Sequence, residues 1–215
     1  MIGKEHFTAL LLAGGKSSRM GKNKALLPFG KTNVLDFMIA RLQQVCDEVI
    51  IVTTPTQAYP HLRLRKIFDI VENKFSLGGL YSGLLQSPTE INFVCGCDMP
   101  LLEPQLIRYL IAQIDDNDAV VPNLGGFFEP LCAVYSKVCL PYIAAQLQTE
   151  DLRMTSWLKQ ARVRFVEEEE LSVIDPMMLS FLNMNTPEDY QRMRNLADYS
   201  PLDGGSGGVI GGIVV

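Results

Sequence analysis

Blocks of apolar residues recur along this chain at two spacings. Phe7 to Leu12 (FTALLL) is a continuous apolar and β-branched run, too short for a helix of its own, which is the pattern of a strand buried on both faces. Val34, Leu35, Met38, Ile39, Leu42 and Val45 fall on one side of a helix spanning Val34 to Val45. Glu48 to Thr53 predicts a second strand, ended by Thr54-Pro55, and Ile67 to Glu72 a third. A helical stretch from Leu80 to Gln86 follows, then a fourth strand, Ile91 to Cys97, and an amphipathic helix from Glu103 to Ile114. Ala119 to Pro122, Leu131 to Tyr135 and Arg162 to Val166 predict further strands, with helical patterns at Pro141 to Gln148 and Leu152 to Ala161. Strands alternating with helices predict an α/β protein built on a parallel sheet.

The first strand breaks at Gly14-Gly15 into a loop carrying Lys16, Ser17, Ser18, Arg19, Lys22 and Lys24. Glycines let backbone N–H groups approach phosphate oxygens, and Lys and Arg neutralise the charge. A surface turn with solvated lysines fits glycine and charge equally well. The loop matches neither Gly-x-x-x-x-Gly-Lys-Ser/Thr nor Gly-x-Gly-x-x-Gly. The fourth strand delivers Asp98 at its carboxyl end, where open parallel sheets bind ligands. One carboxylate there suits Mg²⁺, which takes oxygen ligands and bridges to phosphate; a turn or capping Asp before Pro100 is the alternative.

Other features read more plainly. Gly78-Gly79 serves either a close backbone approach to a ligand or a helix entry. Phe127 and Phe128 read as core residues, as does Trp157, and Glu167 to Glu170 as a solvated charge run. Thr186-Pro187-Glu188-Asp189 is a helix start, with Thr as the cap and acids in the first turn. Residues 203–215 hold six glycines, which makes ordering costly; they read as a tail.

The 215 residues suit a single domain over 1–200 with a glycine-rich tail over 201–215. Apolar content of 47% is enough for a real core. A net charge of −5 argues against a nucleic-acid partner but allows a single nucleotide on a local cationic loop. Five cysteines without a signal peptide predict reduced thiols and a cytoplasmic location. No apolar run is long enough to span a membrane.

Leu12-Ala13-Gly14-Gly15, then Arg19-Met20-Gly21 and Lys24, resembles the signature loop of nucleotidyltransferases that act on sugars and cofactors. Within that superfamily it is most similar to the molybdenum cofactor guanylyltransferases, the MobA family, with Gly14 favouring guanine over cytosine. Cys97-Asp98-Met99-Pro100 resembles the family's Cys-Asp-x-Pro motif, whose Asp holds Mg²⁺. Asn183-Met184-Asn185-Thr186-Pro187-Glu188-Asp189 resembles its Asn-x-Asn-Thr-Pro-x-Asp ending, and Glu129-Pro130-Leu131 its Gln/Glu-Pro-Leu stretch beside the pterin. The family's Gly-Pro-Leu-Ala-Gly loop has a looser counterpart in Gly78 to Gly83. The resemblance implies a three-layer α/β/α fold, with a mostly parallel Rossmann-like sheet and one antiparallel strand. It implies that GTP binds at Leu12, Ala13, Gly14, Gly15, Lys16, Lys24 and Asp98, with Arg19, Lys24 and Asp98 as catalytic residues and Mg²⁺ on Asp98. A family Asp that touches the nucleotide has Asn73 or Asp69 as its counterpart, Asn73 by position. Asn183 and Asn185 complete the metal shell, bind the pterin phosphate or simply cap the helix. Phe127 and Phe128 gain a second reading, stacking on the pterin.

The implied reaction is transfer of GMP from GTP to the terminal phosphate of molybdopterin, releasing pyrophosphate. Implied partners are a molybdate-insertion protein and apo-molybdoenzymes. The rivals are the same chemistry with CTP or a sugar phosphate, and a non-catalytic binder of the cofactor. A nicotinamide oxidoreductase lacks its fingerprint.

Overall fold

The computed structural model describes residues 6–14, 23–71 and 74–198. The chain runs β1 (Thr8–Leu12), a two-strand hairpin β2 (Pro28–Phe29) and β3 (Thr32–Asn33), α1 (Val34–Leu42), β4 (Glu48–Thr53), β5 (Lys66–Phe68) and α2 (Phe75–Gln86). It continues with β6 (Ile91–Gly96), α3 (Pro104–Ala112), β7 (Ala119–Leu124), β8 (Phe127–Phe128), β9 (Cys132–Ser136) and α4 (Leu140–Leu147). It closes with β10 (Val163–Glu167), α5 (Glu168–Ile174) and α6 (Pro187–Asp198). The main sheet has the order β10-β7-β9-β6-β1-β4-β5. β1 lies between β4 and β6, parallel to both, in the register Leu12 opposite Val52 and Gly96. β9 runs against both its neighbours, β6 and β7, and β8 pairs antiparallel with the end of β7.

Helices cover both faces, so the strands are apolar throughout rather than alternating. Leu11, Ile51 and Phe93 face α1 and α3, packing with Leu35, Met38, Leu106 and Leu110. Leu10, Ile50 and Val94 face α2 and α4, packing with Leu77, Leu80, Leu84 and Ile143. This is the three-layer, mostly parallel arrangement expected. A third apolar cluster joins Met184 and Met193, from the α6 region, to Phe29, Val34 and Leu101. Tyr190 Oη also donates to Pro28 O at 2.6 Å. The C-terminal segment is thereby fixed against the hairpin that follows the first loop.

Four expectations change. The third strand ends at Phe68 rather than Glu72, because Asp69 Oδ1 accepts from Val71 N at 2.9 Å and turns the chain. The helix expected at Leu80 begins at Phe75 and takes in Gly78 and Gly79. Glycine is a poor helix former, but this helix lies close to its surroundings: a Cβ on Gly83 would sit 3.1 Å from Leu10 Cδ1 and Val52 Cγ2, and one on Gly78 3.0 Å from Asp69 Oδ2. Residues 152–161 form turns and a short 3₁₀ segment, Leu158–Gln160. There Asp151 accepts from Arg153 N, the Arg153 side chain and Ser156 Oγ, a turn that competes with helix, while Trp157 is fully buried. Glu167 to Glu170 is a helix start: Glu167 and Glu170 form a capping box, and Glu170 also accepts from Tyr109 Oη at 3.2 Å and from Arg164.

Candidate active site

A cleft of about 420 Å³ opens at the carboxyl ends of β1, β4, β5 and β6. Leu12, Ala13 and Gly14 line it from β1, Thr53 and Thr54 from β4, and Asp69 from β5. Gly96, Cys97 and Asp98 enter from β6, Phe75, Ser76 and Gly79 from α2, and Asn23, Lys24 and Leu131 from loops. Gly14 and Lys24, at the described ends of the first loop, therefore share one cavity with Asp98, far away in sequence. Gly15, Lys16, Arg19 and Asn73 lie outside the described residues.

Sheet pairing fixes the strand ends. Ala13 N donates to Val52 O at 2.8 Å, and Cys97 N donates to Leu12 O at 3.1 Å. Ala13 O accepts from the buried Tyr59 hydroxyl at 2.9 Å. These backbone groups of Leu12 and Ala13 are thus engaged within the protein, and the pair positions Gly14. At Gly14 the chain crosses the end of β4 so closely that a Cβ would lie 3.3 Å from the backbone of Thr53.

Lys24 is set by its neighbour. Asn23 Oδ1 accepts from Ala25 N at 3.1 Å, capping the 3₁₀ turn Lys24–Leu26, and Asn23 Nδ2 donates to Tyr59 Oη at 3.2 Å. The Lys24 Nζ then donates to Asn185 Oδ1 at 3.1 Å. Asn185 reaches the cleft through this contact, whereas Asn183 turns back to Phe181 O at 3.4 Å. Thr186 Oγ1 accepts from Asp189 N at 3.1 Å, the helix start expected there.

Asp98 sits across from this lysine. Burial raises its carboxyl above the usual range, and the positive charge of Lys24 pulls it back. Its backbone O accepts from Met184 N at 2.8 Å, which ties it to the C-terminal segment. A Cβ on Gly96 would come within 2.7 Å of Asp98 Oδ1, so only glycine leaves the carboxylate its place. Burial and the nearby Asp98 also raise Glu129, at the Glu129-Pro130-Leu131 turn. The Cys97 thiol is pushed up to about 12, chiefly by burial and then by Asp98. It stays protonated at neutral pH and is no nucleophile.

Among the described residues no group of three or more His, Cys, Asp or Glu could hold a metal ion. That donor set does not suit Zn²⁺ or Ca²⁺, which need several protein ligands. It does suit Mg²⁺, which keeps waters and binds through one or two carboxylates plus substrate phosphates.

Asp69, directly after β5, lines the cleft and accepts from Ser82 Oγ at 2.9 Å. It is one of the two counterparts of the family's nucleotide-touching Asp; the other, Asn73, lies outside the described residues. Thr53, Thr54, Asn23 and Phe75 were not singled out by sequence; the position of the first two at the carboxyl end of the second strand was the available signal. Phe75 has φ +51° and is 71% exposed, a backbone state that costs of order 1–3 kcal/mol for a non-glycine residue. Phe127 and Phe128, expected in the core, are 76% and 38% exposed on the short β8 hairpin, where Phe128 stacks on Phe165 at 4.6 Å.

Fold and cleft together define an α/β protein of open, mostly parallel sheet with a ligand-sized cleft at the carboxyl edge of that sheet. Residues 9–165 match the family described as MobA-like NTP transferase domain, and the chain belongs to that family. A probable molybdenum cofactor guanylyltransferase of Pelotomaculum thermopropionicum is 34% identical over 193 residues, covering 90% of this chain and 94% of its own. A molybdenum cofactor guanylyltransferase of Desulfosudis oleivorans is 34% identical over 187 residues, covering 86% and 93%. Among solved structures, molybdopterin-guanine dinucleotide biosynthesis protein A from Archaeoglobus fulgidus superposes with a TM-score of 0.79 at 20% identity, covering 89% of this chain and 98% of that one. That likeness is one of fold.

Proposed function

We propose that this protein transfers the guanylyl group of GTP to the terminal phosphate of molybdopterin, forming molybdopterin guanine dinucleotide and pyrophosphate. The observation that carries this reading is the meeting of Lys24 and Asp98 in one cleft beside the end of β1. The named relatives supply the substrates.

A phosphate oxygen of molybdopterin attacks the α-phosphorus of GTP in line; a new P–O bond forms and the bond to the pyrophosphate oxygen breaks. The attacking phosphate is already an anion at neutral pH, so no general base is required. Lys24 neutralises charge on the α-phosphate, held in position by Asn185 and the Asn23 cap. Asp98 supplies the carboxylate that holds Mg²⁺, and Gly96 leaves it room. Mg²⁺ held there by Asp98 would supply positive charge to offset what develops on the leaving pyrophosphate. Gly14 admits the nucleotide to the strand end. Gly15, Lys16 and Arg19 extend the phosphate cradle, and Asn183 serves the acceptor side.

Residues 1–200 act as one nucleotidyltransferase domain, with 201–215 as a tail beyond it. Among the described residues no helix is long and apolar enough to cross a membrane, and five free thiols, four of them buried, suit the cytoplasm. A molybdate-insertion protein and apo-molybdoenzymes are the macromolecular partners.

The test is incubation of purified protein with Mg²⁺, molybdopterin and either GTP or CTP. Pyrophosphate and dinucleotide should appear together, with GTP strongly preferred. Absence of both products, or a preference for CTP, overturns the reading.

A further inference from the structure

We propose that Phe75 is the shelf on which the base of the nucleoside triphosphate stacks, and so a specificity-determining residue of the cleft. This rests on the nucleotidyl-transfer reading above and names the part of the site that reads the base.

Four non-glycine residues among those described have positive φ: Tyr59, Phe75, Asp115 and Met178. Tyr59 is buried and anchored through its hydroxyl to Ala13 O. Met178 packs against the core. Asp115 belongs to a residue type that tolerates the left-handed region. Phe75 has none of these reasons. It holds a bulky side chain in a conformation that glycine adopts freely, and leaves 71% of that residue in solvent. Strain kept at an exposed apolar ring points to a ligand that covers the ring.

The position fits one ligand part. Phe75 begins α2, which follows β5, and lines the cleft with Ser76, Thr54 and Asp69. Asp98 follows β6, and the sheet order β6-β1-β4-β5 puts three strand spacings between the two ends. At about 4.8 Å each this is roughly 14 Å between the ends of β5 and β6, a cleft floor broad enough for a nucleoside joined to its phosphates. With the phosphates between Lys24 and Asp98, the base lies toward Thr54 and Phe75. A phenyl ring offers a base its π-face, the contact that aromatic platforms use for nucleobases.

The experiment measures equilibrium binding of GTP and of inorganic triphosphate, both with Mg²⁺, together with Tm. The proteins are wild type, Phe75→Gly, Phe75→Asn and Phe75→Tyr. Glycine and asparagine both accept the left-handed backbone, so Tm should hold or rise in these two variants. Both should bind GTP about tenfold more weakly and triphosphate unchanged, while Phe75→Tyr binds GTP as wild type does. Unchanged GTP binding in the Gly and Asn variants overturns the proposal. So does an equal loss for GTP and triphosphate, which would mark a change in the backbone alone. If Phe75→Gly does not fold, Phe75→Asn decides. A wild-type protein that binds neither ligand removes the nucleotidyl-transfer reading itself, a result distinct from the failure of Phe75.

Discussion

The ammonium of Lys24 is held by Asn185, 161 positions away, through a hydrogen bond of 3.1 Å from Nζ to Oδ1. The contact joins the stretch before β2 to the entry of α6. The lysine stands just after the first loop, and the asparagine stands at the entry to the last helix.

Replacing Asn185 with Ala should lower kcat/KM about tenfold, the worth of a hydrogen bond to a charged group. Lys24→Ala should cost more, about 10²–10³ in kcat. Since the asparagine acts through the lysine, the double variant should be no worse than Lys24→Ala. Steady-state kinetics of pyrophosphate release check the cycle; simple additivity would show that Asn185 has a role of its own.

Asp98→Asn should abolish turnover while the fold stays at least as stable. A carboxyl raised by burial holds its proton more tightly when folded. Its ionisation therefore costs the native state stability as the pH rises above the ordinary value of 3.8. Asparagine removes that cost, so Tm at pH 7 should match or exceed that of the wild type. A clearly lower Tm, measured by calorimetry, would mean that the carboxylate holds the fold together.

Gly96→Ala places a Cβ 2.7 Å from Asp98 Oδ1, too close for the carboxylate to stay where it is. The carboxylate must move, and a misplacement of up to about 1 Å at a reacting centre costs as much as about 10²-fold in kcat. Gly30→Ala, on the β2–β3 hairpin, is the comparison: its φ is +56° with nothing near a Cβ, so stability alone should fall. Equal kcat for the two variants would contradict this role for Gly96.

Asp118 shows the opposite pKa behaviour. Its buried carboxylate accepts from Arg162 N at 2.9 Å and from the Arg162 guanidinium at 3.1 Å, and is held below the usual range, first by the backbone bond. The stabilisation is fully present above the ordinary 3.8 and is lost as pH falls through the lower folded value. Asp118→Asn should cost about 1–2 kcal/mol near neutrality, and urea titrations should show the gap closing in acid. A gap that persists in acid would rule the carboxylate out as its source.

Much of the site was legible because its residues sit at strand ends. The run from Phe7 to Leu12, the break at Gly14 and the acid after Ile91 to Cys97 mark the carboxyl edge of a parallel sheet. Where Gly78-Gly79 was read as a close approach to a ligand or a helix entry, both glycines lie inside α2, about a full turn past its start. Local propensity there is outweighed by how closely α2 packs on β1 and β4, a fact carried by residues far away in sequence. Phe127 and Phe128 failed for a related reason: hydrophobicity predicts burial only where a partner surface exists, and on the two-residue β8 Phe128 finds Phe165 while Phe127 stays 76% exposed.

By itself the sequence determined the seven strands that run through the main sheet, the cationic composition of the first loop and the acidic strand end, because these depend on local periodicity and composition. Tertiary structure alone decided that Asn185 serves Lys24, that Gly96 makes room for Asp98, and that Phe75 stands strained and open at the rim. Those are distances between residues remote along the chain, set by sheet order and helix packing, and no local pattern encodes them.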